Sequence, residues 1–111
     1  MRWPSEWLRG VLELCVLGVL ADGPTYGYAI AARLEAAGLG VVKGGTLYPL
    51  LARLELEQLV KSSWSAGDGG PGRKYFTLTP QGRSELAHRA QLWGRFVDGT
   101  WRVVPHPEEV T

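Results

Sequence analysis

Residues 44–57 carry side chains suited to two different surfaces. Four leucines follow the i, i+3, i+4, i+7 spacing of a helix that packs on a core, and they are Leu47, Leu50, Leu51 and Leu54. The other face offers a small residue, hydroxyl groups and a guanidinium, from Ala52, Thr46, Tyr48 and Arg53. Hydroxyl and guanidinium groups hydrogen-bond to base edges and phosphates, so this face suits a groove of DNA.

Gly44 and Gly45 mark the start of this helix. Pro49 must lie in or near its first turn, because a proline deeper inside would break the backbone hydrogen bonds. The polar side chains therefore cluster near the N-terminal end, where a recognition helix meets DNA. Arg53 has two roles open to it: it contacts guanine or phosphate, or it pairs with Glu57 one turn further on.

The elements before this helix predict a helical domain. Residues 7–21 form a helix that is apolar almost all round, with its apolar side chains at Leu8, Val11, Leu12, Cys15 and Val19 on one face and Leu14, Leu17 and Leu20 on the other. Such a helix needs cover on more than one side, so we expect a partner subunit. Residues 22–24 then form a turn.

A second helix is predicted from Tyr26 to about Ala37, with Thr25 as its N-cap and Gly38 closing it. Its inward-facing residues are Ile30, Leu34 and Ala37. A short glycine-containing connection leads into the two-faced helix. Two helices joined in this way form a helix-turn-helix.

After Leu59 the apolar period changes from 3.6 to 2. Val60, Ser62 and Trp64 alternate with polar residues, and a second alternating run covers residues 73–78. Two strands around the flexible glycine-rich loop at 66–72 predict a hairpin, the wing of a winged helix. The loop matches G-x-G-x-x-G, but we reject a dinucleotide site because a strand follows it where that motif requires a helix.

Thr79 and Pro80 predict the N-cap and first position of a last helix, which runs to about Val104 before two prolines. Its heptad seam consists of Leu86, Ala90, Trp93, Val97, Thr100 or Trp101, and Val104. Nothing else in the chain is left to cover that seam. We therefore predict a dimer formed through Leu8, Leu12, Leu86, Ala90, Trp93, Val97 and Trp101, and a division into a DNA-binding domain at 1–78, a dimerisation helix at 79–105 and a flexible tail at 106–111.

Several further side chains are candidate DNA contacts. Tyr28 is a better phosphate ligand than Tyr26, which lies nearer the apolar stripe of its helix. Arg73 and Lys74 are adjacent on a strand and point to opposite faces, so at most one reaches the same groove directly. Lys43 and Lys61 either bind phosphate or are simply solvated. The full predicted set is Tyr28, Lys43, Thr46, Tyr48, Arg53, Lys61, Arg73 and Lys74.

Composition excludes several other classes of protein. The net charge of +1 removes any chain-wide attraction for nucleic acid, so a basic footprint must be local. Cys15 is the single cysteine, and the two histidines stand apart from it, so we expect no disulfide, metal site, cofactor or catalytic centre. The longest apolar run, at 11–20, is about half of the roughly 20 residues that span a bilayer, which favours a cytoplasmic protein without a membrane segment.

Four segments together resemble the PadR family of winged-helix transcriptional regulators. They are residues 8–14 (LRGVLEL), 23–28 (GPTYGY), 45–55 (GTLYPLLARLE) and 72–82 (GRKYFTLTPQG). The resemblance implies a dimeric repressor that binds a two-fold operator and releases it in response to a small molecule or stress signal. The single short last helix is similar to that of the smaller subgroup, in which this helix both dimerises and lines an effector site.

In some members of that subgroup a tryptophan of the last helix stacks on flat aromatic ligands, and Trp93 falls at the matching place. The candidate effector-binding residues are therefore Trp93 and Val97, although Trp93 and Trp101 also suit plain interface contacts. The resulting interpretation is a mainly α winged helix-turn-helix with a two-stranded β wing, acting as a ligand-responsive repressor on pseudo-palindromic DNA. The alternative is a winged-helix adaptor that binds proteins and not DNA, which the near-neutral charge would suit.

Overall fold

A computed structural model describes residues 3–66 and 72–110, so most of the predicted glycine-rich loop lies outside the described residues. Along the chain the elements are α1 (Ser5–Leu20), β1 (Thr25–Tyr26), α2 (Gly27–Ala36), α3 (Gly44–Leu56), β2 (Val60–Ser65), β3 (Arg73–Leu78), α4 (Pro80–Val103) and α5 (Pro107–Val110). The predicted mainly α fold with a β wing and a long C-terminal helix is confirmed. No helix among the described residues is long and apolar enough to cross a membrane.

The leucine stripe of α3 forms the centre of the core. Leu47, Leu50, Leu51 and Leu54 are each 5% exposed or less. They belong to one cluster with buried residues of α1, α2 and the sheet, among them Val16, Leu17, Ile30, Leu34 and Phe76. Ala37, which the sequence placed on the inward face of α2, is exposed because α2 ends one residue earlier.

The sheet has three strands in the order β1-β3-β2, one more than the sequence predicted. Thr25 pairs with Phe76 and Tyr26 with Tyr75, which places both residues of β1 in extended backbone. The prediction that Thr25 caps α2 was therefore wrong. Tyr26 occupies the N-cap position without a side-chain hydrogen bond, and α2 begins at Gly27.

The end of α2 and the first half of α3 follow the sequence signals. Gly38 has a φ of 89° and its N–H donates to the carbonyl of Glu35 at 2.9 Å, as expected of a residue that closes a helix. Pro49 lies in the second turn of α3, near the predicted first turn. Because proline has no N–H, the carbonyl of Gly45 receives no helical hydrogen bond from it.

The first turn of α4 is fastened to the segment that follows α3. The hydroxyl of Thr79 accepts from the N–H of Gly82 at 2.9 Å, which confirms the predicted N-cap, and it donates to the carbonyl of Gln58 at 2.7 Å. Gly82 is the buried residue of α4, and a Cβ there would collide with the carbonyl oxygen of Leu59. This close approach fixes where α4 leaves the domain.

Most of α4 extends away from the core. The described chain measures 58 by 30 by 21 Å, and every residue of α4 after Gly82 is exposed or half-buried. Large apolar side chains on this part include Leu92, Trp93, Phe96, Trp101 and Val103. Within residues 106–111, where the sequence predicted a flexible tail, α5 forms a short helical turn, and the ring of His106 stacks on Trp101 with ring centres 4.0 Å apart. The flexibility of this segment stays a prediction.

Gly82→Ala should destabilise the protein by about 1 to 3 kcal/mol, because the added methyl group meets backbone atoms of Leu59 that cannot rotate away. Urea unfolding at a fixed protein concentration measures the change. The matched control is Gly94→Ala on the same helix, where a Cβ would meet no atom within 4 Å. That substitution should be neutral or stabilise by up to about 1 kcal/mol. Equal unfolding midpoints for the two variants would contradict the proposed close contact.

Candidate nucleic-acid interface

Predicted DNA contacts from three elements meet around one open depression of about 560 Å³, which we call the wing depression. The start of α2 contributes its tyrosines, α3 contributes Tyr48, and the wing contributes both strands. The lining residues are Tyr26, Gly27, Tyr28, Tyr48, Trp64, Gly72, Arg73 and Lys74. Four predicted contacts, Tyr28, Tyr48, Arg73 and Lys74, are thereby among its lining residues, with Arg73 and Lys74 on opposite faces of β3.

The ring of Tyr48 rests on the first residue of α2. A Cβ at Gly27 would overlap the phenol of Tyr48, and a Cβ at Gly44 would lie 3.4 Å from its Cδ2 atom. Glycine at position 27 therefore leaves the space that the tyrosine ring occupies. Tyr48 remains 51% exposed, and Tyr28 beside it is 76% exposed. Their positions give the depression an aromatic wall.

On the wing, the guanidinium of Arg73 lies over an aromatic ring. Its guanidinium carbon lies 4.6 Å from the centre of the Tyr26 ring, which in turn meets Tyr75 edge-on at 5.5 Å. The guanidinium carries several N–H donors in one plane. Those groups can donate to an anion placed at the rim of the depression.

Glu55 connects the wing to α3. One of its carboxylate oxygens accepts from the hydroxyl of Ser62 at 2.5 Å and from the N–H of Ser62 at 3.3 Å. The other oxygen lies 3.9 Å from the ammonium of Lys74. The carboxylate therefore joins α3 to both long strands and partly neutralises Lys74, which leaves Arg73 as the stronger cation at the depression.

Arg53 has a partner that neither sequence alternative named. Its guanidinium donates to Glu13 of α1 at 2.9 and 3.3 Å, so its carboxylate partner is Glu13 and not Glu57, the residue named in the alternative. Arg89 of α4 donates to the other oxygen of Glu13 at 3.2 Å. Burial alone raises the pKa of Glu13, but the hydrogen bonds and charges of the two arginines outweigh it and leave the pKa below its usual value. Contact between Arg53 and DNA stays a prediction.

Besides Arg53, three predicted contacts lie outside the lining of the wing depression. Lys43 immediately precedes α3 and Thr46 lies in its first turn, and both are exposed. Lys61 is exposed on β2, where it pairs with Thr77 of β3. Each remains open to solvent, but the structure gives none of them a common site with the four residues described above.

Trp64 is a lining residue that the sequence did not assign to the interface. It lies on β2 opposite Lys74 and is 73% exposed, although it shares the alternation of buried Val60. The alternation predicts which face of β2 carries Trp64. Because the core ends before this position, the side chain on that face is exposed. A local feature of the sequence could have indicated it, because an aromatic residue near the loop end of β2 comes to lie beside Arg73 and Lys74 of β3.

The predicted dimer residues differ in their solvent exposure. Leu12 is 5% exposed and belongs to its own chain's core, so its assignment to an interface is corrected. Leu8, Leu86 and Val97 are half-buried, whereas Ala90 and Trp101 are exposed. The candidate effector residue Trp93 is 42% exposed and stacks on Phe96 with ring centres 6.0 Å apart.

Comparisons with known proteins identify the family. The model of the transcriptional regulator PadR-like family matches residues 16–88. An uncharacterised protein of a Streptomyces fradiae transposon is 42% identical over 75% of this chain, which spans only 23% of that protein. A PadR-like regulator structure from Bacillus cereus has a TM-score of 0.81 at 33% identity, over 91% of this chain and 98% of that one.

The Bacillus subtilis PadR structure in complex with operator DNA is also similar, with a TM-score of 0.63 at 27% identity. That match covers 91% of this chain and 51% of the PadR chain. The family match extends from α1 into α4 and so includes α3, the wing and the wing depression. This chain therefore belongs to the PadR-like family of transcriptional regulators, whose members are not enzymes.

Proposed function

We propose that this chain represses transcription by binding a pseudo-palindromic operator as a homodimer, through the exposed face of α3, the start of α2 and the wing. The observation that carries this proposal is the wing depression, in which tyrosines of α2 and α3 meet the basic residues of β3. The structural similarity to a PadR protein bound to operator DNA supports it.

Within this interface the residues have different roles. Thr46 and Tyr48, near the start of α3, are placed to meet base edges in the major groove. Tyr28, Lys43, Lys61, Arg73 and Lys74 bind phosphates and set the register of the protein on the duplex. Because the net charge is only +1, DNA affinity depends on these few local cations.

The second subunit attaches through α4 in this proposal. The seam at Leu86, Ala90, Trp93, Val97 and Trp101 carries apolar surface that the described residues leave partly or fully exposed. Pairing of α4 from two subunits, with Leu8 of α1 at the edge, would cover it. The two copies of α3 would then reach successive major grooves, roughly 34 to 36 Å apart. In this arrangement residues 1–78 form the DNA-binding domain and residues 79–105 form the dimerisation helix.

A small aromatic effector fits between the two copies of α4, where Trp93 and Phe96 present stacked rings and Val97 lies next to them. A planar guest there would change the crossing of the helices and with it the distance between the copies of α3. Effector and operator would oppose each other's binding, and the coupling must be equal in both directions.

Tyr48→Phe should weaken operator binding about 3- to 10-fold, because the variant keeps its ring on Gly27 and loses one hydrogen bond. Fluorescence anisotropy at low and moderate salt measures this, with operator selected from genomic fragments. The wild-type protein should lose affinity steeply as salt rises. Unchanged affinity in Tyr48→Phe would remove that residue from the interface. A wild-type protein that does not bind duplex DNA even at low salt would favour the alternative, a winged-helix adaptor that binds proteins.

Val97→Glu should convert the dimer to monomers at micromolar concentration, since it places an unpaired charge in an apolar contact. Sedimentation velocity reports the change in mass. Gln91→Glu is the control, because that position adds the same charge on the same helix but away from the seam. The arrangement fails if the wild-type protein is itself monomeric, or if both variants sediment as the wild-type dimer does.

Planar aromatic compounds that do not bind DNA should quench tryptophan emission in the wild-type protein and release operator. Trp93→Leu should lose both effects while keeping operator affinity without the compound. Titrations followed by emission and by anisotropy measure the two responses. Binding of a compound with no change in operator affinity would refute the proposed coupling.

A further inference from the structure

Glu13 connects three helices of the domain. It lies in the middle of α1, and its two carboxylate oxygens accept hydrogen bonds from different elements. One oxygen accepts from Nη2 and Nε of Arg53 on α3, at 2.9 and 3.3 Å, and the other accepts from Nη1 of Arg89 on α4, at 3.2 Å. Among the side-chain hydrogen bonds of residues 3–66 and 72–110, these are the ones that link α3 to α4.

The negative charge of Glu13 allows the two arginines to lie close together. Both guanidinium groups contact one carboxylate, so without it they would be neighbouring like charges. Burial raises the pKa of Glu13, but the hydrogen bonds and charges of Arg53 and Arg89 outweigh it, so the group is ionised at neutral pH. The side chains of Glu13 and Arg89 are 30% and 31% exposed, and such ion pairs contribute little to overall stability. We therefore expect them to affect how the helices lie rather than whether the domain folds.

Arg89 gives α4 a second point of attachment. The first is Gly82, which lies against the backbone of Leu59. Arg89 follows two turns later, about 10 Å along the helix at 1.5 Å per residue. Among the described residues, it is the last side chain of α4 that hydrogen-bonds to another element. One point fixes where a helix leaves a domain, and a second point fixes its direction.

We propose that Glu13 is a positioning residue that sets the direction of α4 relative to α3, and thereby the distance between the two copies of α3 on the operator. This inference rests on the proposed homodimer and its DNA binding. Most of the proposed seam, from Ala90 to Trp101, follows Arg89 along α4. The direction of α4 therefore decides where the second subunit places its own α3. Glu13 selects operators by the spacing of their half-sites and needs no contact with DNA to do so.

Direct contact of Arg53 with DNA is the competing role for this group. An Arg53 bound to phosphate contributes to the salt dependence of binding on every duplex, and an Arg53 bound to guanine contributes at one base pair. A residue that only holds Glu13 in place does neither. It changes the preference for half-site spacing instead.

The test compares operators that have the selected spacing with operators that have one base pair inserted or deleted between the half-sites. Fluorescence anisotropy measures affinity for each. The wild-type protein should prefer the selected spacing by roughly tenfold, because both copies of α3 must enter their grooves together. In Glu13→Gln, Arg53→Gln and Arg89→Gln this preference should fall about threefold to fivefold, as the loss of partly exposed ion pairs allows. The double variant Glu13→Gln/Arg89→Gln should lose no more than either single variant, since both changes break one connection.

Glu85→Gln is the matched control. Glu85 pairs with Arg89 within α4 at 2.8 Å, so its loss leaves both bonds of Glu13 in place. This variant should keep the wild-type spacing preference. Because the preference is a ratio of two affinities of the same variant, a general loss of stability does not change it.

The outcomes separate this inference from the function on which it rests. If Glu13→Gln and Arg89→Gln keep the wild-type preference while Tyr48→Phe binds more weakly, the positioning role is wrong and the DNA-binding function stands. A smaller salt slope in Arg53→Gln, or a loss confined to one base pair, assigns Arg53 to DNA and also overturns the inference. A wild-type protein that is monomeric, or that has no affinity for duplex DNA, overturns both.

Discussion

Burial of one face of α3 is the constraint on which the candidate interface depends. Leu47, Leu50, Leu51 and Leu54 enter the core together, so the helix cannot rotate about its axis without exposing at least one of them. Rotation is thereby fixed, and the residues between the leucines must face outward. The four buried leucines therefore set the positions of Thr46 and Tyr48 on the exposed face.

The wing is placed by contacts that begin on the same helix. Glu55, next to a core leucine, accepts hydrogen bonds from Ser62 and lies near Lys74, while β1 pairs with β3 on the other side. The wing is therefore fixed relative to α3 at one edge and relative to the start of α2 at the other. The wing depression results from this double attachment, and its aromatic and basic walls are set before any partner arrives.

The sequence predicts those features whose causes lie close together in the chain. The 3.6-residue period of α3, the alternation of β2 and β3, and the Thr79 cap all depend on neighbours within a few residues, and all are confirmed. Features that depend on distant pairing were missed. The two residues of β1 have no periodicity of their own, and the partner of Arg53 lies 40 positions away in the sequence. The exposure of Trp64 depends on where the core ends, which alternation cannot give.

The contact between Gly82 and Leu59 gives α4 the properties of a lever. Its near end is held against the segment that follows α3, and its 24 residues extend about 36 Å at 1.5 Å per residue. A tilt of about 5° at the near end would displace the far end by roughly 3 Å over that length. Conversely, a small displacement of the far end of α4 produces only a fraction of that displacement at its near end, beside the segment that follows α3. A signal received far along α4 would therefore reach α3 as a small shift.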